Sequence, residues 1–401
     1  METHKNNFLP WLLRNLAATG ISFMIVYGYA LIVLNISSLN PISETIKNFS
    51  VTDIYYRMMQ PEKNQWLTIV DMTSLRDRDE IARTLEEIEE CRPKVIGMDC
   101  IFEKEKCDTL ADNTLRRMAK HYRNIIYSYK LLNESEDDSV GYTQSVHSFF
   151  TNETSVREGV VEFERIDLYS GIKRTLKLRW MLNGNKVPSF AGEIANLYTE
   201  DFFAAEADGD LKINFTPTCF TVIKPSNPYD ILEHKQLMEG RIVLFGAMTD
   251  ENDMHYTPLG KMAGVELHAY ATQTLLRKNQ IKNLPRWLNT IISVLLVMLT
   301  NALQLMYLGW TSRSRSPFVR HMMGSTCIIG LITFMWISLL MWGTFICFCH
   351  YNVNLELEWS IAAMAFLSTS RSFYTACEDY LSLSLPHWIQ LFAGSVKFPN
   401  L

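Results

Sequence analysis

Charge is scarce in this chain, and so are the motifs that announce catalysis. Charged residues are 20% of its 401 residues, against about 25% in an average soluble chain. An ordinary cytosolic enzyme fits that balance poorly. Neither G-x-S-x-G nor G-x-G-x-x-G occurs, so a nucleophile elbow and a dinucleotide fingerprint are both missing. The eight cysteines are too few for a disulfide-built scaffold, and none forms a C-x-x-C pair, which argues against a zinc ribbon. A net charge of -5 leaves no broad basic surface, so nucleic acid is not expected as a partner. Internal repeats and low-complexity tracts are absent as well.

Apolar residues are plentiful, and they are unevenly spread. They make up 48% of the chain and gather in long uncharged runs near its two ends. So much Ile, Leu, Phe and Trp offsets chain entropy and excludes a disordered polymer. No charge falls between Arg14 and Glu44, and residues 16–36 inside that interval are almost wholly apolar. At about 1.5 Å per residue such a run covers roughly 30 Å, the depth of a bilayer's hydrocarbon. Two more runs occupy 287–310 and 322–349, with Trp287, Trp310 and Tyr351 at their margins, where aromatic rings favour the interface. A fourth, 353–374, is expected to cross with Arg371 snorkelling to the surface. The first run is longer than a signal peptide's apolar core and lacks a nearby A-x-A site, so it reads as an uncleaved anchor.

Lys5 and Arg14 precede the first run, while Arg313, Arg315 and Arg320 fill the loop between the second and third. Both flanks are therefore expected to be cytoplasmic. Arg277, Lys278, Lys282 and Arg286 oppose that orientation, but a long translocated domain weakens the charge rule for its own flank. The expected organisation is a cytoplasmic N-terminus (1–15), an anchor (16–36), an extracytoplasmic domain (37–286), spans at 287–310, 322–349 and 353–374, and a tail at 375–401.

The middle alternates strand and helix. Strands are expected at 66–70, 95–98 and 124–129, each short and apolar. Helical periodicity separates them at 79–90, where Ile81, Leu85 and Ile88 share a face, and at 110–121. Residues 133–157, with the acidic run 134–138, read as a solvated loop. Strands follow at 160–163, 173–180, 211–215 and 241–245, and helices at 189–198 and 264–277, the last running almost directly into the second span. The fold class is α/β: an external parallel or mixed sheet with crossover helices, joined to an all-α transmembrane part.

Asp71 and Asp99 end strands expected to be neighbours, and ligands of open parallel sheets bind outside the carboxyl ends of strands. Gly246 ends a further strand, Asp250, Asp253 and His255 follow in a polar loop, and His268 lies near the start of the last helix. Asp71, Asp99, Asp253 and His268 are thus the candidate ligand-binding residues, a group suited to a divalent cation or a cationic ligand. The competing reading is structural: Asp at a strand end commonly caps a turn, and a His at a helix start commonly sits in the core. Ser74 reads as a turn residue, and Gly246 and Gly264 as turn glycines. Cys100 with Cys107, or Cys91 with Cys219, are alternative disulfides; spacing does not choose between them.

Two stretches carry a resemblance: IVDMTSLRDRDEIARTLEEIEECRPKVIGMDCIFE (69–103) and RIVLFGAMTDENDMHYTPLGKMAGVELHAYATQTLL (241–276). With Gly171 and Arg174, Pro188-Ser189 and Ile213-Asn214-Phe215 between them, they resemble the cyclase/histidine-kinase-associated sensory extracellular domain of the second type (CHASE, type two). The resemblance implies a sensory domain outside the membrane, commonly followed by a cytoplasmic kinase or cyclase. Here the Pro-Trp-Pro stretch often found before the family's Arg is shortened, leaving Arg76 and Arg78, and no effector follows the last span. The expected function is ligand or partner sensing, without catalysis, relayed to a separate cytoplasmic effector or membrane partner. A non-signalling assembly subunit is the alternative. The sequence names no cofactor, and it permits a homo-oligomer.

Overall fold

Alternating apolar strands and amphipathic helices can bury both their faces only by layering, and the computed structural model has that layered form. It describes residues 8–35, 50–106, 109–151, 156–163, 171–200 and 209–384. The chain divides into an α/β unit, Lys47–Lys282, and a helical unit made of Met1–Ile46 with Asn283–Leu401.

Helix α1 (Phe8–Asn35) belongs to the helical unit. The α/β unit then runs α2 (Val51–Met58), β1 (Glu62–Asp71), α3 (Arg78–Glu90), β2 (Val95–Asp99), α4 (Thr109–His121), β3 (Ile125–Glu134), β4 (Tyr142–Val146) and β5 (Arg157–Val160). It continues with β6 (Thr175–Lys177), β7 (Arg179–Leu182), β8 (Asn185–Pro188), α5 (Phe190–Thr199), β9 (Asp210–Lys212), β10 (Thr218–Ile223), β11 (Ile242–Gly246), β12 (Met254–Thr257), β13 (Gly260–Ala263) and α6 (Gly264–Arg277).

The main sheet has the order β10-β1-β11-β2-β3-β4-β7-β8, with β5 also paired to β3. From β10 to β3 every pairing is parallel, whereas β3–β4 and β7–β8 are antiparallel, so the sheet is mixed. Side chains alternate cleanly between its faces. Val70, Val243 and Phe245 meet Leu85, Ile88, Leu115 and Met118 of α3 and α4 on one side. Ile69, Ile242 and Leu244 meet Phe190, Ile194, Val265 and Ala269 of α5 and α6 on the other. All five residues of β11 are buried, as a strand covered on both faces requires.

Local chemistry fixes the helix ends. Asp77 accepts from the Glu80 amide to cap α3, and Ser189 accepts from Gly192 to cap α5. Lys278 closes α6 in the left-handed region at φ 52°. Helix α6 is therefore not continuous with the next helix: residues 278–285 intervene, ending in Pro285 at that helix's N-cap.

Several expectations shift. The strand expected at 173–180 is two strands in different sheets, β6 pairing with β9 and β7 joining the main sheet. The loop expected at 133–157 contains β4, a half-exposed strand whose polar sequence YTQSV carries no apolar alternation. The strand expected at 160–163 sits earlier, as β5. Cys91 and Cys219 are both free thiols, so that disulfide is not formed; the Cys100 alternative involves Cys107, which lies outside the described residues.

In the helical unit α1 is joined by α7 (Arg286–Arg313), α8 (Thr326–Tyr351), α9 (Glu358–Ala365) and α10 (Leu367–Ser384). Helices α7 and α8 are long and apolar enough to cross a membrane. The fourth run is not one helix: it breaks at Phe366 (φ -93°, ψ 2°). Arg371 does not snorkel away either. Its guanidinium turns to Asn301 and Gln304 of α7, at 2.7 Å each.

Gly159 packs so closely on α5 that an added Cβ would collide with the Phe190 backbone, while Gly171 has open space around it. Gly159→Ala in the full-length chain should cost about 1–3 kcal/mol of unfolding free energy. Gly171→Ala should leave it within about 0.5 kcal/mol. Urea unfolding followed by tryptophan fluorescence compares them; equal effects would contradict the packing described.

Candidate functional site

Three parallel strands end level with one another. Asp71 on β1 pairs with Gly246 on β11, and Gly246 pairs with Asp99 on β2. Asp71 and Asp99 are thus not on neighbouring strands, as expected from sequence: β11 lies between them. At about 4.8 Å per strand step they stand roughly 10 Å apart in the sheet. The gap is occupied by a glycine because it must be. A Cβ on Gly246 would lie 2.9 Å from Val265 Cβ and 3.1 Å from Asp99 Cβ.

The two aspartates differ in their surroundings. Asp71 is buried, and its Oδ1 accepts from the Thr73 amide (3.0 Å), the Thr73 hydroxyl (2.5 Å) and the Met248 amide (3.1 Å). It caps the 3-10 turn Met72–Ser74 and ties that turn to the loop after β11. Asp99 is half-buried and, among the described residues, accepts no hydrogen bond and forms no ion pair. Burial, first, and the nearby Asp253 charge push its carboxyl up to about 7, with Lys130 offsetting part of the rise.

Asp253 comes from the 3-10 turn Glu251–Asp253, whose start is capped by Asp250. Its carboxylate lies against the first residue of α6, where a Cβ on Gly264 would meet Oδ2 at 2.5 Å. That position favours an anion, because the first amides of α6 have no side-chain cap. His255 Nε2 stands 3.4 Å from Asp253 Oδ1. His268, one turn into α6, is 1% exposed and packs between Phe163 and Phe190, with ring centroids at 4.5 and 5.1 Å. One ring nitrogen faces the Val161 carbonyl, and Nδ1 has no partner. Burial drives its pKa down to about 3, against the Asp253 charge, so the ring is neutral at physiological pH.

Asp99, Asp253 and His268 therefore share one electrostatic neighbourhood with His255, while Asp71 stands apart and serves the turn. Among the described residues no three His, Cys, Asp or Glu are placed to hold a metal ion, so a three-carboxylate metal centre is not assembled. Ser74 is engaged too, donating to the Pro225 carbonyl at 2.6 Å. Phe163 and Phe190, which shape the pocket around His268, gave no signal in the sequence beyond being apolar.

Two basic residues near the resembling motifs also find structural roles. Arg78 donates to Asp112 (2.6 Å) and the Lys104 carbonyl (3.0 Å), with Phe102 against its guanidinium at 4.8 Å. Arg174 grips Asp53 of α2 through Nε and Nη2, fastening that helix within the α/β unit. The CHASE2 domain profile matches residues 27–303. The chain belongs to the CHASE2 family. CHASE2 domains are sensory rather than catalytic, and in them no catalytic constellation is called for. No curated protein matches the chain. Within this CHASE2 unit, the level strand ends and the start of α6 both fall in the two stretches that carry the resemblance.

The two titrating groups oppose one another. For Asp99 the folded pKa is raised, so the associated stability is complete below the ordinary aspartate value near 3.9 and is lost as pH rises through about 7. For His268 the folded pKa is lowered, so its contribution is present above about 6.5 and is lost as pH falls toward about 3. Asp99→Asn should raise stability at pH 8 by about 1–2 kcal/mol, solvent screening of the half-buried group keeping the gain modest. Thermal unfolding from pH 4 to 8 checks this, and curves that stay parallel for both proteins would contradict it. Asp71→Asn should instead lower stability by about 1–3 kcal/mol and speed hydrogen exchange at the Met248 amide. An unprotected Met248 amide in the wild type would show that the tie is not made.

Proposed function

We propose that the chain is an integral membrane protein whose CHASE2 domain is displayed outside the cytoplasm, and that it relays the domain's bound state to a separate effector. The single observation that carries the ligand reading is Asp99 at the carboxyl edge of the sheet: among the described residues it has no hydrogen-bond or ion-pair partner, and a second carboxylate, Asp253, acts on it. The charge of the half-exposed Asp253 bears on the desolvated Asp99 carboxyl, and a cationic ligand relieves that repulsion. The unpartnered Nδ1 of His268 supplies an acceptor beside them. The recognised ligand is therefore a small cation, with hydrogen-bonding capacity toward a neutral imidazole.

Relay follows from the position of Asp253. It touches the start of α6, so a ligand that draws Asp253 away changes the charge at that helix's N-terminus. Helix α6 leads through residues 278–285 into α7. Signalling requires the ligand to prefer one of two states of this segment. The membrane part of the reading is supported by α7 and α8, each long and apolar enough to span, and by the basic loop at Arg313, Arg315 and Arg320.

A variant keeping the exposed Cys219 as its one cysteine tests the sidedness. A membrane-impermeant maleimide should label it in cells whose outer barrier has been opened, without lysis. Labelling that needs lysis would refute the placement. The ligand claim is checked by calorimetry with amines and divalent cations. Binding near pH 7 should release a proton from Asp99, making the heat depend on the buffer, and Asp99→Asn should abolish that dependence. Binding with no proton release would count against this site.

A further inference from the structure

One chain of side-chain hydrogen bonds in the α/β unit belongs neither to a helix cap nor to the sheet ladder. Ser145 Oγ lies 2.8 Å from His147 Nε2, and His147 Nδ1 lies 2.9 Å from Glu158 Oε1. Strand register brings the three together. Ser145 is paired across from Leu131, and Glu158 across from Tyr127. Paired residues point to one face of a sheet, as do alternate residues of one strand. Ser145 and Glu158 therefore stand on the face that carries Tyr127, Tyr129 and Leu131. His147, two residues beyond Ser145, keeps that face: its ring stacks on Tyr129, with centroids 4.5 Å apart and planes at 14°. Tyr129 is buried, so the imidazole rests on a fixed platform.

The same bonds fix which atom donates. A carboxylate only accepts, so His147 Nδ1 carries its proton toward Glu158. In the neutral ring Nε2 is then an acceptor, and the Ser145 hydroxyl donates to it. A hydroxyl held on a basic nitrogen, with a carboxylate orienting the ring from its far side, is the arrangement that activates a serine nucleophile. The group is reachable: His147 and Glu158 are partly exposed, and Ser145 is half-buried. Strand β4 meets β7 only at Tyr142 and Leu182, so beside Ser145 no described strand covers its other edge. Alternate main-chain amides along such an edge point outward, and outward amides are the donors a developing oxyanion needs. Thr143 and His147 stand where a G-x-S-x-G elbow has glycines, so geometry alone marks this serine.

We propose that Ser145, His147 and Glu158 form a serine esterase centre, a further activity of this domain that depends on neither the membrane reading nor the cation site. Its substrates are carboxylic esters. Ser145 Oγ bonds to the ester carbonyl carbon while its proton passes to His147 Nε2. The bond from that carbon to the alkoxy oxygen breaks, and the proton moves onto that oxygen, releasing the alcohol. Water then attacks the acyl-serine and gives a proton to the same nitrogen. The acyl–Oγ bond breaks, Ser145 regains its proton, and the carboxylic acid leaves. Glu158 is the positioning residue: it holds the Nδ1–H tautomer and stabilises the imidazolium that forms in each half of the reaction.

The test uses the full-length chain in mild detergent, with a fluorophosphonate probe and p-nitrophenyl acetate. The probe should label Ser145, located by peptide mass, and the ester should be turned over repeatedly. Ser145→Ala should abolish labelling and lower kcat/KM by about a hundredfold or more, as should His147→Gln. Glu158→Gln should lower kcat by about tenfold or more with KM unchanged, because a wrong tautomer leaves ester binding intact. Circular dichroism melting shows whether each variant is folded. Ser145→Cys gives a second reading should the His147 or Glu158 variant melt early: at pH 7 iodoacetamide should alkylate the new thiol faster than the exposed Cys219, because His147 draws off its proton. Hydrolysis unchanged by Ser145→Ala, a probe that passes over Ser145 in the folded wild type, or a new thiol no faster than Cys219 would overturn the inference. Intact kinetics in Glu158→Gln beside a lowered melting temperature would make these bonds a clamp between β4 and β5, and would overturn it as well.

Discussion

A missing side chain sets the form of the α/β unit's carboxyl edge. Gly246 ends the middle of three level strands, and nothing larger fits between Val265 and Asp99. That close approach lets α6 start directly over the edge and brings Asp253 to its first amides. Asp71 and Asp99 are held one strand apart from each other, with different duties. One satisfies three donors and fixes a turn; the other is left with a half-buried, unpartnered carboxyl. A side chain at position 246 would separate β11 from α6, and the electrostatic neighbourhood around Asp253 would dissolve with it.

The parts of this arrangement visible in sequence are those with strong local periodicity. β1, β2 and β3 are short apolar runs between amphipathic helices, and α3, α4 and α6 lie close to where the 3.6-residue pattern puts them. Strand order was hidden. No local signal tells that β11, more than 140 residues after β2, inserts between β1 and β2, because that choice depends on both helix layers being present. β4 was hidden for a different reason: a strand between β3 and β7 with polar residues on both faces has no alternation to read. The division of 173–180 into two sheets likewise follows from the bend near Leu178, which tertiary pairing imposes.

Site residues were legible as a list and illegible as roles. Strand-end aspartates and the histidine of α6 were marked by position alone. Which aspartate would be consumed by backbone donors depended on where the Met248 amide falls. Arg371 shows the same limit. Its charge in a short apolar run implied an escape to the surface, but Asn301 and Gln304, some seventy residues earlier, provide a polar destination inside the bundle. Among the described residues, each unit holds a charge with no opposite charge in direct contact: a carboxyl at the sheet edge and a guanidinium on neutral amides. Such groups are costly to keep in a low-dielectric setting, and functional sites are where proteins retain them.

The central claim is that Asp99 is kept protonated near neutrality by its surroundings. Infrared difference titration of the full-length chain, wild type minus Asp99→Asn, isolates that carboxyl. A protonated carboxyl band at pH 6 that disappears around pH 7 is the predicted result. A band already gone by pH 5 would mean that Asp99 is an ordinary ionised aspartate, and the account of the sheet edge as a cation-receptive site would be contradicted.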